Sequence, residues 1–156
     1  MEGARAARRA LLDAFPSADF AAAFVFIDML EADDRRTAAS ASRRIAGRRV
    51  SAFHDPYRRA GHSMARTIGW HFHVAWDCYL FYPPGVRWDG PHMPPAAEWL
   101  HQLRDREVWE AERPDATNTR WTSQVPERTE APRRRFRTGG GLVAALRITA
   151  ERRLLR

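Results

Sequence analysis

The sequence predicts an α/β domain, and three observations carry that expectation. The segment Ala75 to Tyr82 (AWDCYLFY) is almost wholly apolar and runs into a Pro83-Pro84-Gly85 turn signal. A strand that is apolar on both faces belongs inside a covered sheet. Phe20 to Ile27 (FAAAFVFI) reads as a second buried strand, although its alanines also suit a helix. Helix start and stop signals alternate with these strands, so that Arg49–Trp88 reads strand, helix, strand, turn, strand.

The elements follow in order. Ala4 to Phe15 is expected to be a helix with Ala4, Ala7, Leu11 and Phe15 on one stripe and Arg5, Arg8 and Arg9 toward water, ended by Pro16 and Ser17. After the Phe20–Ile27 strand, Asp33 or Asp34 caps a second helix reaching about Ala46, with Gly47 as its stop. That helix has a thin apolar face of Ala38, Ala41 and Ile45, suited to covering one side of a sheet. Arg49–Phe53 is a short strand. Asp55 and Pro56 then give the clearest start signal in the chain, with Tyr57, Gly61, Met64 and Ile68 as the helix stripe. The apolar strand comes next, and Val86-Arg87-Trp88 is its expected hairpin partner. Pro94 and Pro95 open a last helix through Ala96, Trp99, Leu100 and Leu103, extending toward Trp109. Trp70, Trp76, Trp88 and Trp99 are assigned to the core.

Composition bounds the function. At 156 residues and 44% hydrophobic content, one domain with its own core (residues 1–112) is expected. Cys78 is the sole cysteine, which excludes intrachain disulfides and Cys-x-x-Cys redox or zinc patterns. The longest apolar run, Phe20 to Ile27, is far short of the roughly 20 residues of a membrane helix. No signal peptide builds up around Ala10-Leu11-Leu12 before Asp13, so a cytoplasmic location is the default expectation. No cofactor is expected. All 26 basic residues are Arg, a bias that GC-rich coding produces without any partner. Residues 1–110 carry 15 Arg against 14 acidic residues, whereas residues 111–156 carry 11 against 5. With Pro114, Pro126, Pro132 and Gly139-Gly140-Gly141 breaking the pattern, residues 113–156 are expected to form a disordered basic tail. Leu142, Leu146, Ala150 and Leu154 within it make the stripe of a basic amphipathic helix, marginal on its own.

The order helix, strand, helix, strand, helix, hairpin, helix resembles the thioredoxin fold without its first strand. Phe53-His54-Asp55-Pro56, Ala75-Trp76-Asp77 and Glu98-Trp99-Leu100-His101-Gln102-Leu103 resemble a divergent bacterial thioredoxin-like group. The resemblance spans roughly residues 4–104. It implies a three-layer sandwich, incomplete at its N-terminus. Two departures matter: no Cys-x-x-Cys precedes the first helix, and Val74-Ala75-Trp76-Asp77 stands where thioredoxins keep a cis-proline. Thiol exchange needs an attacking thiolate and a resolving partner, which Cys78 alone does not provide. A binding or scaffolding role without redox chemistry follows.

Within such a sheet, Asp28, His54, Asp55 and Asp77 fall along one rim at the carboxyl ends of the parallel strands, where open α/β sheets bind ligands. That rim suits acid–base work or a weakly held cation, the basis of an enzyme alternative. Against it, Asp55 is already explained as a helix cap and Asp28 as a loop residue. Asp77 is costly to bury in an apolar strand, so it is expected at the rim or paired with His73 or an Arg. His71 and His73, followed by Cys78, are weak metal candidates that need His54 or His62 to complete a set. Cys78 otherwise packs as a small hydrophobe. Arg133, Arg134, Arg135 and Arg137, with Phe136, form a candidate nucleic-acid contact, salt-sensitive and indifferent to sequence. An acidic or membrane partner for Leu142–Arg156 is the remaining expectation.

Overall fold

The computed structural model describes residues 2–68, 74–90, 92–103 and 135–154, and the chain is a mixed α/β protein. It divides into two compact units, residues 1–56 with 137–156, and residues 57–136. The boundary expected near residue 112 lies outside the described residues.

In the first unit, helix α1 (Glu2–Ala7) continues as a π-helical segment, Arg8–Leu12. Arg49 ties the end of this segment to the turn that follows it. Its guanidinium donates to the carbonyl oxygens of Leu12 at 3.2 Å, Phe15 at 2.8 Å and Ala18 at 2.8 Å. The same guanidinium sits 4.4 Å from the Phe20 ring centroid, so charge and ring quadrupole add to the hydrogen bonds.

Strand β1 (Ala22–Ile27) pairs in parallel with β2 (Val50–Asp55), from Ala22 opposite Val50 to Ile27 opposite Asp55. Parallel neighbours need a crossover, and helix α2 (Arg35–Ile45) supplies it. A reciprocal capping box starts α2: the Thr37 amide donates to Asp34 Oδ1 at 2.6 Å while Asp34 N–H donates to Thr37 Oγ1 at 2.9 Å. The Thr37 backbone hydrogen bond is the main cause holding the Asp34 carboxyl below its ordinary value of 3.8. Ala38, Ala41 and Ile45 are the buried face of α2, as the sequence pattern indicates.

The C-terminal stripe is packed rather than free. Leu142, Leu146, Thr149 and Ala150 are buried, and their helix (Gly139–Leu154) lies against α1 and the π-helical segment. Ala6, Ala7 and Ala10 line the N-terminal side, small enough for the helix surfaces to approach closely. The expected tail is therefore corrected for its last part. A marginal isolated helix becomes stable once its apolar stripe finds a core.

The second unit opens with α3 (Arg59–Thr67), not at Asp55 and Pro56. Asp55 is instead the last rung of the β1–β2 ladder, and Arg58 enters α3 in a left-handed conformation with φ 58°. Gly61 and Met64 of the expected stripe are buried, whereas Tyr57 is exposed. Met64, Ala65, Ala75, Met93, Trp99 and Leu103 make the core of this unit, with Trp76, Cys78, Leu80 and Tyr82 packed against it.

Two further expectations are corrected here. Strand β3 (Cys78–Phe81) pairs antiparallel with β4 (Glu98–His101), a segment expected to be helical. Val86–Trp88, the expected partner, is exposed and forms no strand, and Trp88 is 47% accessible rather than core. The loop between β3 and β4 is pinned at its base. Tyr82 donates to the Pro94 carbonyl at 3.1 Å, and the Met93 amide donates to buried Ser63 Oγ at 2.7 Å. Burial pushes the Tyr82 phenol up to about 12. Among the described residues the strands form two separate two-stranded sheets, where one sheet was expected.

Helix α4 (Gly139–Leu154) is the last element of the described residues.

Candidate functional site

The parallel pair creates the site. Asp28 is the first residue beyond β1, and His54 is the penultimate residue of β2. Registration of Phe26 with His54 and of Ile27 with Asp55 brings the two strand ends level. The Asp28 amide continues the ladder by donating to the Asp55 carbonyl at 3.4 Å. His54 Nε2 and Asp28 Oδ1 stand 2.8 Å apart, with side chains 21% and 24% accessible.

An ionised carboxylate only accepts hydrogen bonds, so in the neutral ring the contact favours the proton on Nε2 and leaves Nδ1 as the acceptor nitrogen. Among the described residues, Nδ1 of His54 has no hydrogen-bond partner. The loop that follows is shaped by Asp33, whose Oδ2 accepts from the amides of Met29 at 3.0 Å and Leu30 at 2.8 Å. These bonds, running back to the amides three and four residues earlier, steady the backbone just after Asp28. The arrangement is a half-buried imidazole oriented by a carboxylate, whose neutral form presents an acceptor lone pair at the carboxyl ends of two parallel strands. Chemically it can receive a hydrogen bond or a proton from a ligand.

Two of the four rim residues are thus brought together. Asp55 follows His54 on the same strand, and alternation directs its side chain to the opposite face. Asp77 belongs to the second unit, ahead of β3, where it is exposed with φ 48°. The left-handed conformation answers the question that its place in an apolar run raises. Aspartate is among the few side chains that tolerate this region, and the residue turns the chain into β3 instead of lying within it. Its carbonyl accepts from the Gln102 amide at 3.2 Å.

His71, His73, Arg133 and Arg134 lie outside the described residues. Cys78 stands opposite His101 across the β3–β4 ladder, and its thiol donates to the Trp76 carbonyl at 3.2 Å. Among the described residues no group of three or more His, Cys, Asp or Glu side chains is placed to hold a metal ion. No helix among them is long and apolar enough to cross a membrane.

Arg135 turns inward. It donates to the Trp99 carbonyl at 3.2 Å and stacks on the Trp99 ring, 4.7 Å from its centroid. Phe136 forms a parallel bridge with His101, their ring centroids 5.7 Å apart. His101, only 2% accessible, was not distinguishable in sequence from a polar residue of a helix. Its alternation with Trp99 shows only once β4 is recognised as a strand.

The chain matches no protein-family model, no curated protein and no solved structure.

Proposed function

We propose that this protein is a binding module of thioredoxin-like build without thiol chemistry, and that its ligand contacts the Asp28–His54 pair. The observation that carries this reading is the 2.8 Å contact of His54 with Asp28 at the carboxyl ends of two parallel strands. Among the described residues the element order α, β, α, β, α, β, β, α supports the thioredoxin-like part. It follows the order that the resemblance implies, but the last strand and last helix come from later segments, Glu98–His101 and Gly139–Leu154, and the described strands pair in two sheets where the resemblance implies one. A ligand suited to the site presents a hydroxyl or amide donor to His54 Nδ1.

The test is an amide-shift NMR screen of the intact protein against small hydroxyl- and amide-bearing molecules. Binders are expected to shift residues 27–29 and 53–55, with the response lost in His54→Ala and kept in Cys78→Ser. Shifts that survive His54→Ala, or that require Cys78, would contradict the reading. A second reading draws on the same acceptor nitrogen: an Asp-oriented imidazole is also the arrangement of a general base. It differs in requiring turnover of the bound molecule, which product analysis of any screened binder detects.

A further inference from the structure

The helical layer of the first unit carries a charge pattern that the strand-end pair does not use. Residues 3–12 and 43–49 hold seven Arg and no Asp or Glu. The fold sets these stretches side by side, because Arg8 Nη1 donates to the Arg44 carbonyl at 2.9 Å across 36 residues of sequence. Two of the seven have internal work. Arg49 holds the carbonyls of Leu12, Phe15 and Ala18, and Arg8 also meets Asp13 at 3.4 Å. Arg5, Arg9, Arg43, Arg44 and Arg48 are exposed. Among the described residues none of their guanidinium groups makes an ion pair or hydrogen bond.

Arg43 and Arg44 offset the partial negative charge at the C-terminus of α2. Arg5 and Arg9 stand in the last turns of α1 and of the π-helical segment, while Arg48 lies beyond the end of α2, where that role does not reach. Like charges so close together repel, and a bound polyanion converts that cost into attraction. We propose that this patch binds the phosphodiester backbone of duplex nucleic acid without reading its sequence. Planar guanidinium forks match phosphate oxygens bidentately, and release of condensed counterions supplies the driving force.

Two absences select this partner from other polyanions. Neither stretch contains an aromatic residue, so the stacking platform that single strands require is missing. Among the described residues, the exposed large hydrophobics of this unit, Leu30, Phe53 and Ile148, fall outside both stretches. An anionic membrane surface calls for exposed apolar side chains beside the charge, and the large ones within the two stretches, Leu11, Leu12 and Ile45, are half-buried or buried. This site is independent of the Asp28–His54 reading and of the Arg133–Arg137 run.

The experiment is fluorescence anisotropy of a short labelled DNA duplex with the full chain over a salt series. Binding is expected to weaken steeply with salt. Arg5→Ala/Arg9→Ala/Arg44→Ala is expected to lower affinity at least tenfold and to flatten the log–log salt slope by about 0.9 for each Arg removed. Arg5→Lys/Arg9→Lys/Arg44→Lys keeps the slope, and Arg135→Ala/Arg137→Ala binds like the parent. If the triple alanine protein fails a circular dichroism check, Arg44→Glu alone is expected to give the same direction of change. No salt-dependent binding by the parent overturns the proposal. So does parental affinity in the folded alanine and glutamate variants, or tighter binding to vesicles with anionic lipid than to duplex at equal salt.

Discussion

At the residue scale, single side chains close the backbone where regular structure stops. Arg49 gathers three carbonyls and one ring, a task matched to a planar, five-donor guanidinium. Arg49→Ala is expected to cost roughly 2–3 kcal/mol in urea unfolding, since several part-buried acceptors lose a charged donor together. Arg49→Lys is expected to recover less than half, because one ammonium cannot span the three oxygens. Tyr82 acts similarly at the base of the β3–β4 loop, and its folded-state value of about 12 lies above the usual phenol value. The raised value means that the folded state favours the protonated phenol. Its contribution is complete below about pH 10 and is lost as pH rises through about 12. Tyr82→Phe is therefore expected to move the alkaline unfolding midpoint upward in a pH titration followed by circular dichroism. Asp34 has the opposite sign. Its lowered value makes the α2 cap effective above the ordinary 3.8 and lost as pH falls below that, so Asp34→Ala loses stability at neutral pH and almost none in acid.

At the element scale, legibility in sequence followed the range of the interactions. Helix α2 could be read nearly residue by residue because its cap, buried face and stop are local. Strands β1 and β2 were legible as apolar segments, each shifted by one or two residues at its ends. Strand β4 was not. Trp99, Leu100 and Leu103 after two prolines fit a helical stripe, and only pairing with residues about 20 positions earlier makes Glu98–His101 a strand. Asp77 looked anomalous because sequence does not display a left-handed φ. Asp28 and His54 were legible as individual candidates, but their contact depends on register, which no local pattern states. The C-terminal helix α4 was legible as a stripe and misread as a free one. Its packing gives a further prediction: Leu146→Ala is expected to cost about 2–4 kcal/mol, read as a shift of the urea midpoint. A free amphipathic segment would lose almost nothing.

At the scale of the whole molecule, the chain makes two units, and the first is completed by residues from both ends of the sequence. Residues 137–156 return to α1 and the π-helical segment, so local patterns in residues 1–56 describe only part of that unit. Removing residues 137–156 is accordingly expected to expose Ala6, Ala7 and Ala10 and to speed amide exchange across β1 and β2. The candidate site rests on the same assembly, because Asp28 and His54 are 26 residues apart and meet only through the parallel ladder. The most direct measurement is a long-range proton–nitrogen NMR spectrum of the imidazole rings in the intact protein, with His54 assigned by His54→Gln. With neutral His54, the Nε2–H tautomer is expected to predominate, and Asp28→Ala is expected to abolish that preference. A predominant Nδ1–H tautomer, or a pattern unchanged by Asp28→Ala, would contradict the account.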